Sequence, residues 1–121
     1  MVNLEPETKT IKLDTEGESY KNLLREGVTS HVLHSGLVEL TPGNDVGEHS
    51  SKDCEELIVP LSGEGQMVLK TGNRVDVTPE NAIYCPPWTV HNVINTGETT
   101  LRYVYIVAKT GEKSNVLEQT W

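Results

Sequence analysis

The sequence has no phenylalanine, and aromatic residues make up only 5% of its 121 residues. A hydrophobic core in this chain must therefore be mostly aliphatic. Valine is the commonest apolar residue, and β-branched side chains favour strands. The length fits one domain, because domains cluster at about 100–150 residues. Charged residues amount to 23% of the chain, a value typical of globular proteins rather than disordered ones.

Clusters of basic residues are also missing. Ten Lys and Arg residues are scattered among 18 Asp and Glu residues, and the formal net charge is −8. Binding to nucleic acid without sequence preference requires clustered cations that displace counterions from phosphates, and anionic membranes attract cationic surfaces. We therefore expect neither a nucleic acid nor a membrane among the partners.

Long apolar runs and a disulfide framework are absent as well. No window of the sequence approaches the roughly 20 apolar residues that cross a bilayer, and residues 1–7 do not resemble a signal peptide. Two cysteines, Cys54 and Cys85, are too few for a disulfide scaffold. These features predict a reduced chain in the cytoplasm.

Short β-like runs alternate with turn signals from residue 28 onward. Gly72-Asn73 predicts a tight two-residue hairpin, and Pro86-Pro87 predicts a strand break. Before residue 28 there is one weak strand signal at 8–13, while 18–26 suits either a short helix or irregular structure. We predict one all-β domain, a sandwich or a small barrel, with strands at 28–34, 36–41, 55–62, 66–71, 74–78, 82–85, 88–94 and 100–108. Residues 1–27 form an N-terminal extension that is partly strand and a candidate dimer contact, 28–110 the barrel, and 111–121 a C-terminal tail.

Two histidines and one glutamate form the chemically informative set. His49 precedes a polar turn, Glu56 lies on the returning strand, and His91 follows the proline turn on a later strand. Two imidazoles and one carboxylate that converge inside a barrel can form a metal site with open coordination positions. Such a site suits Fe(II), with Zn, Mn, Ni or Co as alternatives, and no organic cofactor is indicated. The alternative interpretation is a hydrogen-bonded polar pair, His49 with His91, and no metal.

The same residues resemble the two motifs of the cupin superfamily. Residues 43–63, with His49, Glu56 and Gly63, are similar to the first motif, and residues 86–95, with His91 and Asn95, are similar to the second. The resemblance spans roughly residues 36–108 and implies a small single-domain cupin. Its fold would be a double-stranded β-helix, a jelly-roll barrel of two antiparallel sheets, and such proteins often form homodimers. The resemblance also implies metal ligation by His49, Glu56 and His91.

The chain departs from the cupin motifs at three positions. Ser51 replaces the second histidine of the first motif, Glu80 replaces the opening glycine of the second motif, and Trp88 replaces its inner glycine. Ser51 is therefore a weak candidate ligand or a neighbour of the ligands. Glu55 competes with Glu56 for the carboxylate role, but strand alternation lets only one of them face the interior. The spacing of Glu56 to Gly63 favours Glu56.

Several further residues are candidates for lining the cavity. Trp88 would narrow the cavity mouth, stack on a ligand, or pack against the outer sheet or a partner subunit. Tyr103 and Tyr105 share one face of the last strand, and Arg102 lies on the other face. Either face could contact a ligand. Cys85 and His34 complete the candidates, and His34 would replace the missing histidine if its strand crossed the barrel mouth.

Two classes of function fit these observations, and no residue is assigned a catalytic role. The first is a metal-dependent enzyme that acts on a small organic molecule, with oxygenase, isomerase, decarboxylase and lyase chemistry all open. The second is a module that binds or senses a small ligand without catalysis, with a weakened or vacant metal site.

Overall fold

The structure is a computed structural model that describes residues 6–110 of the chain. Within that range the chain forms nine strands and no helix, so no described segment could cross a membrane as a helix. The strands are β1 Tyr20–Leu24, β2 Leu33–Leu40, β3 His49–Ser50, β4 Cys54–Ser62, β5 Gly65–Leu69, β6 Arg74–Val77, β7 Ile83–Cys85, β8 Val90–Ile94 and β9 Leu101–Lys109.

The strands form two antiparallel sheets. One sheet has five strands in the order β1-β2-β9-β4-β7, and the other has four in the order β3-β8-β5-β6. Strands that are neighbours in a sheet are mostly distant in sequence. This order is the one expected when a long antiparallel hairpin winds into a double-stranded β-helix. This arrangement confirms the predicted all-β jelly-roll barrel.

A mostly aliphatic core fills the space between the sheets. Side chains alternate along β4, where Glu56 and Ile58 are buried and the intervening Leu57 is exposed. This alternation is expected of strands with one face toward a core. The core contains Val38, Leu40, Ile58, Met67, Val77, Ile83, Cys85, Val93, Leu101 and Tyr103.

The N-terminal region differs from the prediction. Residues 8–13 form no strand, whereas 20–24, expected to be a short helix or irregular, form β1 at the edge of the five-stranded sheet. The sheet therefore begins before the boundary predicted at residue 28. Residues 28–32 form a turn and bend, and β2 starts only at Leu33. The pairing of β1 with β2 decided these elements, and the short local pattern did not reveal it.

The hairpin between β5 and β6 also has a different turn. The amide of Gly72 donates to the Leu69 carbonyl at 2.9 Å, and the amide of Leu69 donates to the Asn73 carbonyl at 2.9 Å. Gly72 has a φ of 96°. The connection is thus longer than two residues, with glycine in the left-handed position that closes such a loop. The C-terminal tail, 111–121, lies outside the described residues.

Candidate metal centre

His49 and His91 are brought together by strand register. They are direct partners across the antiparallel pair β3 and β8, so their side chains leave the same face of the four-stranded sheet. Their ring centroids lie 4.4 Å apart with the rings tilted by 59°. His91 is buried and His49 is exposed, which places one imidazole inside the barrel and the other at its opening.

Backbone carbonyls fix the protonation of both imidazole rings. The Nδ1 atom of His49 lies 2.9 Å from the carbonyl of Gly47, and Nδ1 of His91 lies 3.0 Å from the carbonyl of Thr89. A carbonyl oxygen only accepts hydrogen bonds, so each Nδ1 must carry the proton. In the neutral rings the Nε2 atoms therefore keep their lone pairs. A carbonyl that holds the far nitrogen is the usual support of a metal-binding histidine.

Glu56 approaches the histidines from the opposite sheet. It lies on β4, is only 8% exposed, and places Oε1 3.2 Å from Nε2 of His91. Candidate ligand atoms of His49, Glu56 and His91 all lie within 4.8 Å of one another. The three residues that the spacing singled out are thus adjacent in the barrel.

The electrostatics of this group centre on His91. Among the described residues, Nε2 of His91 has no aligned hydrogen-bond partner although it is buried. Burial alone would lower the pKa of His91, but the nearby Glu56 carboxylate and the Thr89 carbonyl outweigh burial and raise it above its ordinary value. The site therefore favours a positive charge at this nitrogen.

Glu55 points away from the barrel interior. It is exposed, and its carboxylate accepts a hydrogen bond of 2.9 Å from the Tyr84 hydroxyl on the outer face of the sheet. The bond also raises the pKa of Tyr84, because the phenol donates to a carboxylate. Glu56 is therefore the carboxylate that faces the histidines, and Glu55 is not.

Ser51 takes part in a brace between two loops. Its hydroxyl donates to the Pro86 carbonyl at 2.9 Å and accepts from the Thr89 amide at 2.9 Å, while its amide donates to the Thr89 carbonyl at 3.0 Å. The adjacent Trp88 amide donates to the Lys52 carbonyl at 2.7 Å. Ser51 thus supports the turn whose Thr89 carbonyl holds His91, which makes it a neighbour of the candidate ligands.

A cavity of about 440 Å³ opens beside the three residues. Its volume falls within the range of small-molecule sites. Tyr103 and Tyr105 both line it, whereas Arg102 pairs with Glu39 on the other face of β9. Burial is the main reason that the pKa values of both phenols are raised, and hydrogen bonding to Tyr20 adds to the effect at Tyr105. Both phenols therefore stay protonated near neutral pH.

Three candidates for the cavity lining lie elsewhere. Trp88 is 71% exposed and has a φ of 62°, the left-handed region in which glycine is cheapest, and this backbone directs its side chain to solvent. Cys85 is buried in the core, with its sulfur 3.6 Å from that of Met67. His34 does not line the cavity; its Nε2 lies 3.2 Å from the hydroxyl of Tyr105, which does. His34 therefore does not replace the missing histidine.

Sequence reasoning missed other residues of the cavity. Tyr20 lines it from β1, in a segment for which no strand was predicted. Cys54 lines it from the start of β4 and is half-buried. The remaining lining residues from the described part of the chain include Val38, Val46, Ser50, Ile58, Val93 and Val107. Alternation predicts the strand residues of this group, but Tyr20 has no such local signal.

Comparison with known proteins adds a family match. The family described as "Cupin domain" matches residues 36–107, a range that contains all three candidate ligands. The chain is also similar to a glucose-6-phosphate isomerase from Pyrococcus abyssi, at 34% identity over 62 residues. That match covers 48% of this chain and 33% of the isomerase, so the chain spans only about a third of that relative.

Solved structures share the fold at low sequence identity. A predicted oxalate decarboxylase from Thermotoga maritima has a TM-score of 0.68 and 23% identity, covering 74% of this chain and 78% of that one. An uncharacterised conserved protein with a double-stranded β-helix domain from Klebsiella pneumoniae has a TM-score of 0.73 and 18% identity, covering 91% and 93%. These similarities show the same barrel.

Proposed function

The chain belongs to the cupin-domain family, and from that premise we propose that His49, Glu56 and His91 bind a divalent metal ion. A small organic molecule would then bind to the metal inside the barrel. The observation that carries this proposal is the pair formed by His91 and Glu56. In neutral His91 the Nε2 atom has a lone pair, and it lies 3.2 Å from a carboxylate oxygen. Two buried acceptor atoms at this distance need a proton or a metal ion between them, and His49 at the same site adds a third donor that suits a metal.

The donor set is suited to a transition-metal ion. Two imidazoles and one carboxylate with open positions are typical of Fe(II) sites, and Zn, Mn, Ni and Co accept the same donors. When bound, such an ion supplies Lewis-acid polarisation of a ligand oxygen and, with Fe(II), the means to activate dioxygen. The exposed His49 lies at the opening of the cavity, where a ligand would enter.

The protein's own residues would hold and shield the bound molecule. The carbonyls of Gly47 and Thr89 orient the two imidazoles, so that their Nε2 atoms face the shared site. Apolar side chains such as Val38, Ile58 and Val93 exclude water from the adjoining cavity. Oxygenase, isomerase, decarboxylase and lyase chemistry are all compatible with this arrangement, because a fold does not select a reaction. The resemblance of part of the chain to an isomerase makes isomerisation one reaction to test.

Metal binding can be tested with two neighbouring glutamates. We expect purified protein, stripped of metal and titrated with Fe(II) or Zn, to bind one ion per chain. Glu56→Gln should weaken binding at least about tenfold, since a charged donor is lost, whereas Glu55→Gln should bind as the unmodified protein does. Equal metal affinity in the unmodified protein and in Glu56→Gln would contradict the proposal.

A second function is a module that binds a small ligand through the metal but does not transform it. The use of Ser51 in the loop brace supports it, because only three side chains of the described site are then available as ligands. Turnover of a panel of small acids, phenols and keto compounds, with dioxygen uptake recorded, would distinguish the two. Ligand binding without any product would favour the module. Homodimer formation and a cytoplasmic location stay predictions.

A further inference from the structure

We propose that Tyr20, Tyr105 and His34 form a second recognition point in the cavity, which selects a ligand whose distal group is uncharged and forms hydrogen bonds. This inference rests on the proposed function, since one end of the ligand is taken to bind the metal. The distal group would be a hydroxyl or a carbonyl on a mostly apolar body. Such a ligand differs from a sugar phosphate.

A continuous hydrogen-bonded chain carries this inference. The hydroxyls of Tyr20 and Tyr105 lie 2.7 Å apart, and the Tyr105 hydroxyl lies 3.2 Å from Nε2 of His34. Both tyrosines line the cavity. The rings are stacked, with centroids 6.2 Å apart and an angle of 23° between their planes. The chain of hydrogen bonds therefore ends at the hydroxyl of Tyr20, a residue that lines the cavity and is 41% exposed.

The chemistry of the hydroxyls lets this end either donate or accept. If Nε2 of His34 accepts from Tyr105, then Tyr20 donates to Tyr105 and offers a lone pair to a ligand. If Nε2 carries a proton, Tyr105 donates to Tyr20, whose own O–H can then donate to a ligand. In both directions the Tyr20 oxygen keeps capacity for one more partner. A neutral hydroxyl or carbonyl of a ligand can be that partner. Such a hydrogen bond does not require a formal charge on the ligand group.

The backbone of β2 makes room for the two phenols. A Cβ atom added to Gly36 would lie 2.5 Å from Cε1 of Tyr20 and 2.7 Å from Cε2 of Tyr105. Real Cβ atoms do not approach other atoms so closely, so any larger residue would displace the ring pair. Gly36 thus permits the stacked rings to lie over the strand at the cavity.

The rest of the lining disfavours a charged distal group. Within residues 6–110, no lysine or arginine lines the cavity. Besides the phenols and the metal-site residues, the lining is mostly aliphatic, with Val38, Val46, Ile58, Val93 and Val107. A phosphate or carboxylate away from the metal would lose its hydration without gaining a cation, which is costly.

Four matched probes test this selection on the metal-loaded protein. The probes are phenylpyruvate, its 3-hydroxy and 4-hydroxy derivatives, and its 4-carboxy derivative, all of which share one metal-chelating 2-oxo acid. Glucose 6-phosphate serves as a fifth probe. We expect at least one hydroxylated probe to bind about three- to tenfold more tightly than phenylpyruvate, as one added hydrogen bond predicts. The 4-carboxy derivative and glucose 6-phosphate should bind more weakly than phenylpyruvate.

Variants connect the preference to the tyrosine chain. Tyr20→Phe keeps the ring but should abolish the preference for the hydroxylated probe, and Gly36→Ala should reduce it by displacing both rings. Tyr84→Phe is the matched control, because its phenol lies on the outer face and bonds to Glu55, and the preference should persist. Metal affinity should be the same in Tyr20→Phe and the unmodified protein.

The outcomes separate the two proposals. Failure to bind metal would refute the proposed metal site, and the ligand class would be refuted with it. Three outcomes would overturn only the recognition point. The first is metal binding without any binding of the five probes. The others are equal affinity for phenylpyruvate and both hydroxylated probes, and a preference for a charged probe. Retention of the preference in Tyr20→Phe would overturn it as well.

Discussion

Nε2 of His91 and Oε1 of Glu56 lie 3.2 Å apart inside the barrel, and neither atom is a donor when the imidazole is neutral and the carboxylate ionised. The opposite ring nitrogen of His91 is already committed to the Thr89 carbonyl. A metal ion or a proton between them relieves the contact of the two lone pairs. In the absence of a metal, a proton on Nε2 has the same effect, and the raised pKa of His91 reflects this.

The stability of the metal-free protein should therefore depend on the charge of His91. Because its pKa is raised in the folded state, folding is favoured when the ring is protonated. This stabilisation is complete below the ordinary pKa of about 6.5 and is lost as the pH rises through the raised value. His91→Gln should lower the melting temperature more at about pH 5.5 than at about pH 8.5.

Thermal unfolding in a chelator-containing buffer, followed by circular dichroism, would measure this difference. His31→Gln is the control, since His31 is exposed and its replacement should change the melting temperature little at either pH. A His91→Gln effect that is equal at both pH values, or larger at the higher one, would argue against the charge pairing of His91 with Glu56.

The two cysteines should differ sharply in reactivity. Cys85 is 2% exposed, and burial together with the nearby Glu56 raises its pKa to about 11. Cys54 is half-buried at the cavity, with a pKa raised by its partial burial and by Asp53. We expect Ellman's reagent at about pH 8 to modify Cys54 in the folded protein and Cys85 only upon unfolding. Prompt modification of a thiol in the folded Cys54→Ser variant would contradict this.

The sequence allowed the centre of the barrel to be predicted because its signals are local. Strand alternation allowed only one of Glu55 and Glu56 to face the interior, and the motif-like spacing of Glu56 to Gly63 favoured Glu56. The resemblance to the cupin motifs implied that His49 and His91 converge with Glu56, and the structure places them on the paired strands β3 and β8. These predictions rested on strand alternation, on turn residues and on the resemblance to the two cupin motifs.

Other features depend on contacts that local patterns do not encode. Tyr20 becomes a cavity residue because β1 pairs with β2, where Tyr20 is opposite Val38, and nothing near Tyr20 in sequence predicts that pairing. Trp88 points outward because its backbone has a positive φ. Ser51 bonds to Pro86 and Thr89, which lie more than thirty positions later in the printed sequence. For Tyr20 and Ser51 contacts between separate segments determined the role of the side chain, and for Trp88 the backbone conformation did.

Asn95 should make a large contribution to the stability of the fold. It is 1% exposed, its Nδ2 donates to the carbonyls of Leu40 and Thr99 at 2.8 Å each, and its Oδ1 accepts from the Gly97 amide at 2.9 Å. Asn95→Ala would remove the hydrogen-bond partner of these three backbone groups. Since each unsatisfied buried group costs about 1–3 kcal/mol, we expect a loss of roughly 3 kcal/mol or more.

Urea denaturation of Asn95→Ala and of Asn81→Ala would measure the contribution. Asn81 is exposed, and its amide lies 3.5 Å from the Thr78 hydroxyl. Its replacement should change the free energy of unfolding by no more than about 0.5 kcal/mol. Similar losses in the two variants would show that Asn95 does not connect these segments.

Ser51 should affect the candidate metal site through the loop brace rather than as a ligand. Ser51→Ala removes the bonds to the Pro86 carbonyl and the Thr89 amide, so the turn that orients His91 should loosen. We expect the metal-free protein to lose about 1–2 kcal/mol of stability and metal affinity to fall by up to about tenfold. Ser51→Thr keeps a hydroxyl and should restore both quantities at least in part. Ser62→Ala, at the opposite end of β4, should change neither. The metal-free measurement decides between the two roles, because a residue that acted only as a ligand would weaken metal binding and leave the stability of the metal-free protein unchanged.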